Sequence, residues 1–254
     1  MNEIKFLLKF GKREHLEKLQ AGKMYFSNAR SFRQIEENLL IKGQGDRMEG
    51  GSYISASNVT MVDRDTDEPM FTGIRGNMLL HYEPADLLPV FCIFCCFEKD
   101  CILNDDGTLS IRLPVEIKDS IISHFPNADT VAVIKNPHQF IEDVTASIGY
   151  DCKSDLVNYF HLTGFDGEHG KVNDLSYFKY LMQDTPPVKM DGKTVYSFNA
   201  KYVYRALLCK DVFFANEQEY RFILPDINIV DGREFPVTLR ETMDLHDLST
   251  FFAC

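Results

Sequence analysis

The run Pro89-Val90-Phe91-Cys92-Ile93-Phe94-Cys95-Cys96-Phe97 is the most apolar part of the chain, and our expectation of the fold starts from it. A continuous apolar run of this length, followed by the turn signal Asn104-Asp105-Asp106-Gly107, is typical of a strand that is covered on both faces. We therefore predict a central strand over residues 89–97, with the rest of the sheet and the helices built around it.

Shorter patterned segments on both sides of this run predict the remaining elements. Strands are predicted over residues 4–10, 23–27, 53–62, 78–82, 130–134, 156–162, 197–208, 212–214 and 219–224. Helices are predicted over residues 13–20, 28–40, 116–124, 137–148 and 240–252, mostly from apolar side chains that recur at helical spacing. Strands and helices intermix without regular alternation, and no linker or internal repeat is visible. We therefore expect one globular α+β domain over residues 1–254, with a mixed, mainly antiparallel sheet flanked by helices.

The composition narrows the class of protein and of partner. The chain has 254 residues, of which 44% are hydrophobic and 26% charged, as is ordinary for a globular protein. Its net charge of −11 disfavours nucleic acid and membrane surfaces as partners and favours a nucleotide-type small molecule or a protein. No run approaches the roughly 20 apolar residues that span a bilayer. The N-terminal residues lack the apolar run of a signal peptide, and seven cysteines in mostly apolar surroundings indicate reduced thiols and a cytoplasmic location.

The densest charged motif of the chain is Glu217-Gln218-Glu219-Tyr220-Arg221. Alternate residues of a strand share a face, so Glu217, Glu219 and Arg221 are predicted to point the same way. Mutual repulsion would raise the pKa of one carboxyl, and the arginine would lower the pKa of the other. Such a pair suits a general base beside a group that binds a sugar hydroxyl. The alternative is an exposed strand face on which glutamate and arginine pair without a catalytic role.

Other candidate motifs carry less information. The glycine-rich segment over residues 42–51 is either a loop that approaches a ligand or a plain surface connection. Cys92 and Cys95 have a zinc-like spacing, but the run around them is apolar and no second pair follows, so we predict buried thiols and no metal site. Ser55 and Ser57 share one strand face and are candidate hydroxyl ligands. The chain has no nucleophile elbow, P-loop or dinucleotide-binding glycine motif, and its histidines form no zinc motif.

Short motifs scattered over most of the chain form a recognisable set. They are Lys9-Phe10-Gly11, Glu14-His15-Leu16, Gly22-Lys23-Met24-Tyr25-Phe26-Ser27, Gly45-Asp46, Glu49-Gly50, Val90-Phe91-Cys92, Cys96-Phe97 and the segment from Phe213 to Arg221. Together they resemble AbiGi-type abortive-infection proteins and a related uncharacterised bacterial family. The resemblance implies a bacterial or phage origin and a role in antiviral defence, as part of an abortive-infection or toxin–antitoxin system.

Three of the motifs occur in an order that resembles a second family. The chain offers Lys5 or Lys9 on an early strand, Ser55-Ala56-Ser57 on a middle strand and Glu217-Gln218-Glu219 on a late strand. ADP-ribosyltransferases of the arginine class combine a basic residue, Ser-x-Ser and Glu-x-Glu in this order, although their basic residue is usually arginine. The resemblance implies NAD as the substrate, with Glu219 holding the nicotinamide ribose hydroxyl and Glu217 orienting the acceptor.

These observations lead us to expect a phage-defence effector that is an NAD-dependent ADP-ribosyltransferase-like transferase or an NAD glycohydrolase. The expected catalytic residues are Glu217 and Glu219. The expected nucleotide-binding residues are Lys9, Tyr25, Ser27, Ser55, Ser57 and Arg221. One alternative is a non-catalytic antitoxin or sensor that binds a protein partner. Another is a metal-dependent nuclease using Asp46, Glu49 and the Glu-x-Glu pair, although a lysine at the usual nuclease spacing is missing.

Overall fold

The computed structural model of the chain describes residues 3–39, 46, 48–162, 175–195 and 197–253, without the side chains of 36, 39, 52–59, 77, 78 and 175. Its strands are β1 Ile4–Gly11, β2 Lys23–Phe26, β3 Gly51–Val62, β4 Pro69–His81, β5 Val90–Phe97, β6 Cys101–Leu103, β7 Leu109–Ile111, β8 Thr130–Ile134, β9 Lys153–Leu156, β10 Asn158–Phe160, β11 Val188–Met190, β12 Lys193–Val195, β13 Cys209–Asp211, β14 Glu219–Ile223, β15 Arg233–Pro236 and β16 Asp244–Asp247. Its α-helices are α1 Arg13–Gln20, α2 Ala29–Leu39, α3 Val115–His124, α4 Pro137–Ser147, α5 Leu175–Leu181 and α6 Leu248–Phe251. Short 3₁₀ helices cover Glu83–Ala85, Glu98–Asp100, Ala200–Leu208 and Val212–Glu217.

The main sheet has six strands in the order β16-β8-β1-β5-β14-β9, and every neighbouring pair is antiparallel. The apolar run forms β5 between β1 and β14, which confirms the predicted central strand. Small two-stranded sheets, such as the antiparallel pair of β2 and β15, surround it. The mainly antiparallel sheet with flanking helices confirms the α+β expectation. Within the described residues, no helix is both long enough and apolar enough to cross a membrane.

The two faces of this sheet are covered differently. On one face Leu7, Ile93 and Phe222 pack in a large apolar cluster with residues of α1 and α4. On the other face there are two separate clusters, one in which Phe94 packs with residues of α3, and one in which Ile223 packs with residues of α2 and the 3₁₀ helix Ala200–Leu208. Along the sheet, Glu219 lies opposite Phe94 and Arg221 opposite Cys92, between these two clusters. The second face therefore has a gap in its apolar cover, and charged side chains of β14 fall in it.

Two strands predicted near the C-terminus are wrong. The segment 197–208 contains the 3₁₀ helix Ala200–Leu208, and 212–214 lies in the 3₁₀ helix Val212–Glu217, with the short strand β13 between them. Both helices have a side-chain N-cap. The side chain of Asn199 accepts a hydrogen bond from the backbone N–H of Lys201, and that of Asp211 accepts one from the backbone N–H of Phe213. These local caps outweigh the apolar, strand-like composition of the segment.

Two further segments differ from their predicted form. The predicted strand 156–162 has the wrong bounds: its first residue ends β9, which pairs with β14, and the remainder contains β10, which pairs in parallel with β13. The backbone N–H of Val157 at the division donates to the carbonyl of Glu219. The predicted helix 240–252 is instead the strand β16, paired with β8, followed by the single helical turn α6. In both cases a pairing with a distant strand decides the local structure.

Phe222 provides a test of the covered face of the sheet. Its side chain has no exposed surface, and its ring lies 6.0 Å from the ring centre of Phe140 and 5.3 Å from that of Tyr220. We expect Phe222→Ala to lower the free energy of unfolding by about 3–5 kcal/mol in urea titrations, because it leaves a buried cavity. The control Phe71→Ala removes a phenylalanine side chain that is 58% exposed, and it should change the free energy of unfolding by about 0.5 kcal/mol or less. Equal effects of the two substitutions would contradict this assignment of the core.

Candidate active site

The gap in the apolar cover opens into a cavity of about 420 Å³, within the range of small-molecule sites. Aromatic side chains form much of its wall: Phe10, Tyr25, Phe32, Phe91, Phe94 and Phe125. Charged and titratable side chains line the rest: Lys9, Asp46, Glu49, His124, Lys210, Glu217, Glu219 and Arg221. An apolar cavity with a few convergent charged groups is the usual form of a ligand or catalytic site.

Arg221 is the central group of the charged wall, and it is only 1% exposed. Its Nε donates to Oε2 of Glu219 at 2.6 Å, and its Nη2 donates to Oε2 of Glu49 at 3.0 Å. Its Nη1 also donates to the backbone carbonyl of Leu207 at 2.6 Å. Burial disfavours the charge, but the two carboxylates outweigh it and hold the pKa of Arg221 well above its ordinary value. Four of the five N–H groups of the guanidinium therefore donate to described protein groups, and the predicted pairing of glutamate with arginine is present but buried instead of exposed.

Lys210 is a second buried cation beside Glu219. It comes from β13, and its Nζ donates to Oε1 of Glu219 at 2.9 Å and makes a short contact with Glu217. Burial opposes the charged form of Lys210, but the two carboxylates outweigh it and raise the pKa of the ammonium well above its usual range. Glu219 benefits in turn, since Arg221 and Lys210 outweigh its burial and hold its pKa well below the ordinary value. Glu219 is thus an ionised carboxylate, fixed in direction by two cations.

Glu217 reaches this cluster by a different route from the one that the sequence predicted. It does not lie on the strand with Glu219 and Arg221, because β14 begins at Glu219 and Glu217 ends a 3₁₀ helix. Gln218 between them has a left-handed backbone, with φ 42° and ψ 48°, and its side-chain amide donates to the carbonyl of Cys95 at 3.0 Å. Burial, together with the charge of Glu219, raises the pKa of Glu217. At one cavity wall, the pKa of Glu217 is therefore raised while the pKa of Glu219 is lowered.

His124, the last residue of α3, faces Glu217. Its Nδ1 lies 2.9 Å from Oε1 of Glu217, and its side chain is about one-tenth exposed. His124 therefore closes the charged wall on the side of α3.

Lys9 provides a cation of a different kind. Its Nζ donates to the carbonyl of Cys92 at 2.6 Å and lies 4.6 Å from the ring centre of Phe91. Burial lowers its pKa. No salt bridge of Lys9 occurs among the residues that the structure describes, so its ammonium has donors available for an anionic group of a ligand.

The remaining predicted binding residues are distributed unevenly. Tyr25 is 56% exposed and lies at the mouth of the cavity, and Ser27 also lines it. The backbone of Ser27 bridges to Val90, which places β2 beside the central strand. The side chains of Ser55 and Ser57 lie outside the described residues. The cavity thus brings together Lys9, Tyr25, Ser27, Glu217, Glu219 and Arg221 from the predicted set.

The predictions missed two lining residues and gave two others a different role. Lys210 and His124 were not expected, although a lysine directly after the apolar residues 206–209 is a signal for a buried, paired cation. Asp46 and Glu49 were considered only as metal ligands of a nuclease. Glu49 instead pairs with Arg221, and within the described parts of the chain no group of three or more side chains is arranged to hold a metal ion.

The thiol in the wall of the cavity has a passive role. Cys92 lines the cavity, but burial raises its pKa to about 12, so it is a protonated thiol at neutral pH. The thiolate is the reactive form of cysteine, and the acid–base chemistry of the cavity therefore belongs to its carboxyls and cations.

Comparison with known proteins gives no match: no family model, curated protein or solved structure is similar to this chain. The chemistry of the cavity is therefore the basis for assigning a function.

Arg221 provides the test of the buried charge cluster. We expect Arg221→Met to lower the free energy of unfolding by about 3–5 kcal/mol, because it leaves buried carboxylates without their cation. Adding Glu49→Gln should recover part of this loss, since one of the unpaired charges is then removed. The matched control is Lys18→Met in the exposed Lys18–Glu234 pair, which should cost about 1 kcal/mol or less in the same urea titrations. An Arg221→Met loss no larger than the control would show that the cluster is not desolvated.

Proposed function

We propose that this cavity is the active site of an NAD-dependent, ADP-ribosyltransferase-like enzyme, a transferase or an NAD glycohydrolase. The observation that carries the proposal is the ionised carboxylate of Glu219, held by Lys210 and Arg221 at the wall of a cavity that Lys9 and Tyr25 also line. Cleavage of an N-glycosidic bond builds positive charge on the ribose ring. A fixed, desolvated anion is the group that stabilises such charge most effectively.

Each part of the wall has a role in this reaction. Glu219 accepts a hydrogen bond from the ribose hydroxyl and faces the developing charge. Lys9, which is free of carboxylate partners among the described residues, binds a phosphate of the dinucleotide. The aromatic wall holds the nicotinamide ring by stacking and apolar contact. The nicotinamide–ribose end then occupies the cavity, and the other end of the dinucleotide extends past Tyr25 at the mouth.

The proposed biological role and location rest on the short sequence motifs and on the cysteines. The short motifs from Lys9 to Arg221 resemble abortive-infection proteins, which supports a toxin or effector in bacterial or phage-linked antiviral defence. In the described part of the chain the cysteines are free thiols, namely Cys92, Cys95, Cys96, Cys101, Cys152 and Cys209. Free thiols fit a reducing compartment, and we propose a cytoplasmic location.

A second candidate function, binding of a protein partner as an antitoxin or sensor, is favoured by the long hairpin of β3 and β4. Its outer part carries four apolar side chains that are more than half exposed, at 53–58%: Met61, Val62, Met70 and Phe71. The turn between the strands, residues 63–68, adds four carboxylates and one arginine. An exposed apolar patch beside an acidic turn suits contact with a basic protein surface.

The enzymatic proposal is tested with purified protein and labelled NAD, with and without cell extract. We expect the protein to consume NAD, and Glu219→Gln to slow consumption by about 100-fold or more, as for loss of a group that stabilises transition-state charge. The control Glu234→Gln neutralises an exposed glutamate in an ordinary salt bridge and should keep the activity. Absence of NAD binding, NAD consumption and label transfer by the unaltered protein would exclude the proposal.

The hairpin separates the two candidate functions in cells challenged with phage. If the protein acts as an enzyme, Glu219→Gln should abolish protection, because catalysis is lost, while Met70→Ser with Phe71→Ser should leave NAD consumption unchanged. If partner binding is the function, the hairpin variant should lose protection and Glu219→Gln should keep it. Plaque counts on cells that express equal amounts of each variant measure the difference.

A further inference from the structure

Asp46 has an unusual position in the wall of the cavity. Its side chain lines the cavity, and the residue is 3% exposed. Oδ1 accepts a hydrogen bond from the backbone N–H of Met48 at 2.8 Å. Oδ2 is buried and has no hydrogen-bond partner among the described residues. A buried carboxyl oxygen without a donor is costly, and it is expected where a ligand completes the site.

The other carboxyls of the cavity are already engaged. Glu49 and Glu219 share the guanidinium of Arg221, while Glu217 and Glu219 share the ammonium of Lys210. Glu219 is a weak base, because Arg221 and Lys210 hold its pKa low. Glu217 has a raised pKa, but both of its oxygens already face a partner, Oε2 facing Lys210 and Oε1 facing His124. Among the described residues that line the cavity, Asp46 is therefore the carboxyl with an oxygen still available to accept a proton.

Hydrogen bonds connect Asp46 and Glu49 to each other and to α2. The backbone N–H of Glu49 donates to the carbonyl of Asp46 at 2.9 Å, and Nη1 of Arg33 donates to the carbonyl of Glu49 at 2.7 Å. Arg33 is anchored in turn by Asp86, at 2.6 Å. Gly50, which follows Glu49, has a φ of 66°, and a Cβ added there would lie 3.3 Å from the Leu207 side chain, so any other residue would be strained. Asp46 is thus connected, through Glu49 and Arg33, to α2 and to Asp86.

The charges around Asp46 suit proton exchange near neutral pH. The groups that face it are Lys210 of β13, Arg221 of β14 and Glu49 of its own turn. Burial, together with Glu49, raises the pKa of Asp46 to about 7, against the opposing effect of Lys210 and Arg221. A general base works best when its pKa is close to the working pH.

We propose that Asp46 is the catalytic base of the reaction proposed above, and this inference rests on that proposed function. The bond between the ribose carbon and the nicotinamide nitrogen breaks, and its electron pair leaves with nicotinamide. The oxygen of a water molecule or of an acceptor hydroxyl forms a new bond to the same carbon. The proton of that oxygen passes to Oδ2 of Asp46, while Glu219 stays ionised throughout.

Asp46→Asn tests this role, because asparagine keeps the oxygen that accepts from Met48 and loses the ability to take a proton. We expect the affinity for NAD to remain within about threefold and turnover to fall by about 100-fold or more. For the unaltered protein, kcat/KM should rise with pH and level off above a pH of about 7, as Asp46 loses its proton. The variant should lack this rise.

The matched control is Asp106→Asn, since Oδ1 of Asp106 accepts the same kind of hydrogen bond from the backbone N–H of Thr108, at 2.9 Å in an exposed turn. It should keep both turnover and the pH profile.

Thermal melts check the fold of the Asp46→Asn variant. The pKa of Asp46 is about 7 in the folded protein and 3.8 in the unfolded chain, so the folded state binds this proton more tightly. The free energy of unfolding therefore falls as the pH rises from about 3.8 to about 7. Asp46→Asn should therefore raise the melting temperature more at pH 8 than at pH 5.

A second variant separates catalysis from structure. Asp46→Ala leaves space at Oδ2, and added formate should restore part of its turnover if a carboxylate at that point takes the proton. Turnover of Asp46→Asn within about threefold of the unaltered protein, or an unchanged pH profile, would overturn the assignment of Asp46 while the NAD reaction stands. Failure of the unaltered protein to consume NAD overturns both proposals together.

Discussion

The buried ion pair between Arg221 and Glu219 is the interaction on which this structure depends. Removing two charges from water costs several kcal/mol for each ion, and attraction within one strand does not offset this. Glu49 and Lys210 provide the missing partners, and they come from the turn before β3 and from β13. Two other parts of the chain are therefore tied to one point of β14, at the gap in the apolar cover of the sheet.

This arrangement is easier to explain by function than by stability. Replacing a buried ion pair by well-packed apolar side chains of similar volume is often neutral or stabilising. The chain instead holds an ionised glutamate, a neighbouring glutamate of raised pKa and an aspartate with an unpaired oxygen around one cavity. Charges that are fixed in advance need no reorganisation when a substrate becomes charged, and this is the property that an active site requires. The apolar clusters on both faces of the sheet offset the free energy that burying these charges costs.

Sequence patterns predicted the parts of the molecule that depend on local composition. The length of the apolar run 89–97 and the turn signal after it favour a strand in the centre of a sheet. Helix 13–20 follows from its apolar spacing and the glycine after it. The position of Glu217 was not predictable in this way, because Gln218 adopts a left-handed backbone that residues other than glycine rarely show. Lys210 was missed for a related reason, since its burial depends on carboxylates that only the turn of residues 212–217 brings back towards it. The candidate residues were thus partly visible in the sequence, but their charge states depend on tertiary contacts.

The most direct measurement is a crystal structure of the protein with an NAD analogue whose glycosidic bond cannot be cleaved. We expect the nicotinamide–ribose end in the cavity, with a ribose hydroxyl in hydrogen-bond contact with Glu219, a phosphate beside Lys9 and the reacting carbon facing Asp46. An analogue bound at another surface, or an unchanged and empty cavity at saturating concentration, would contradict it.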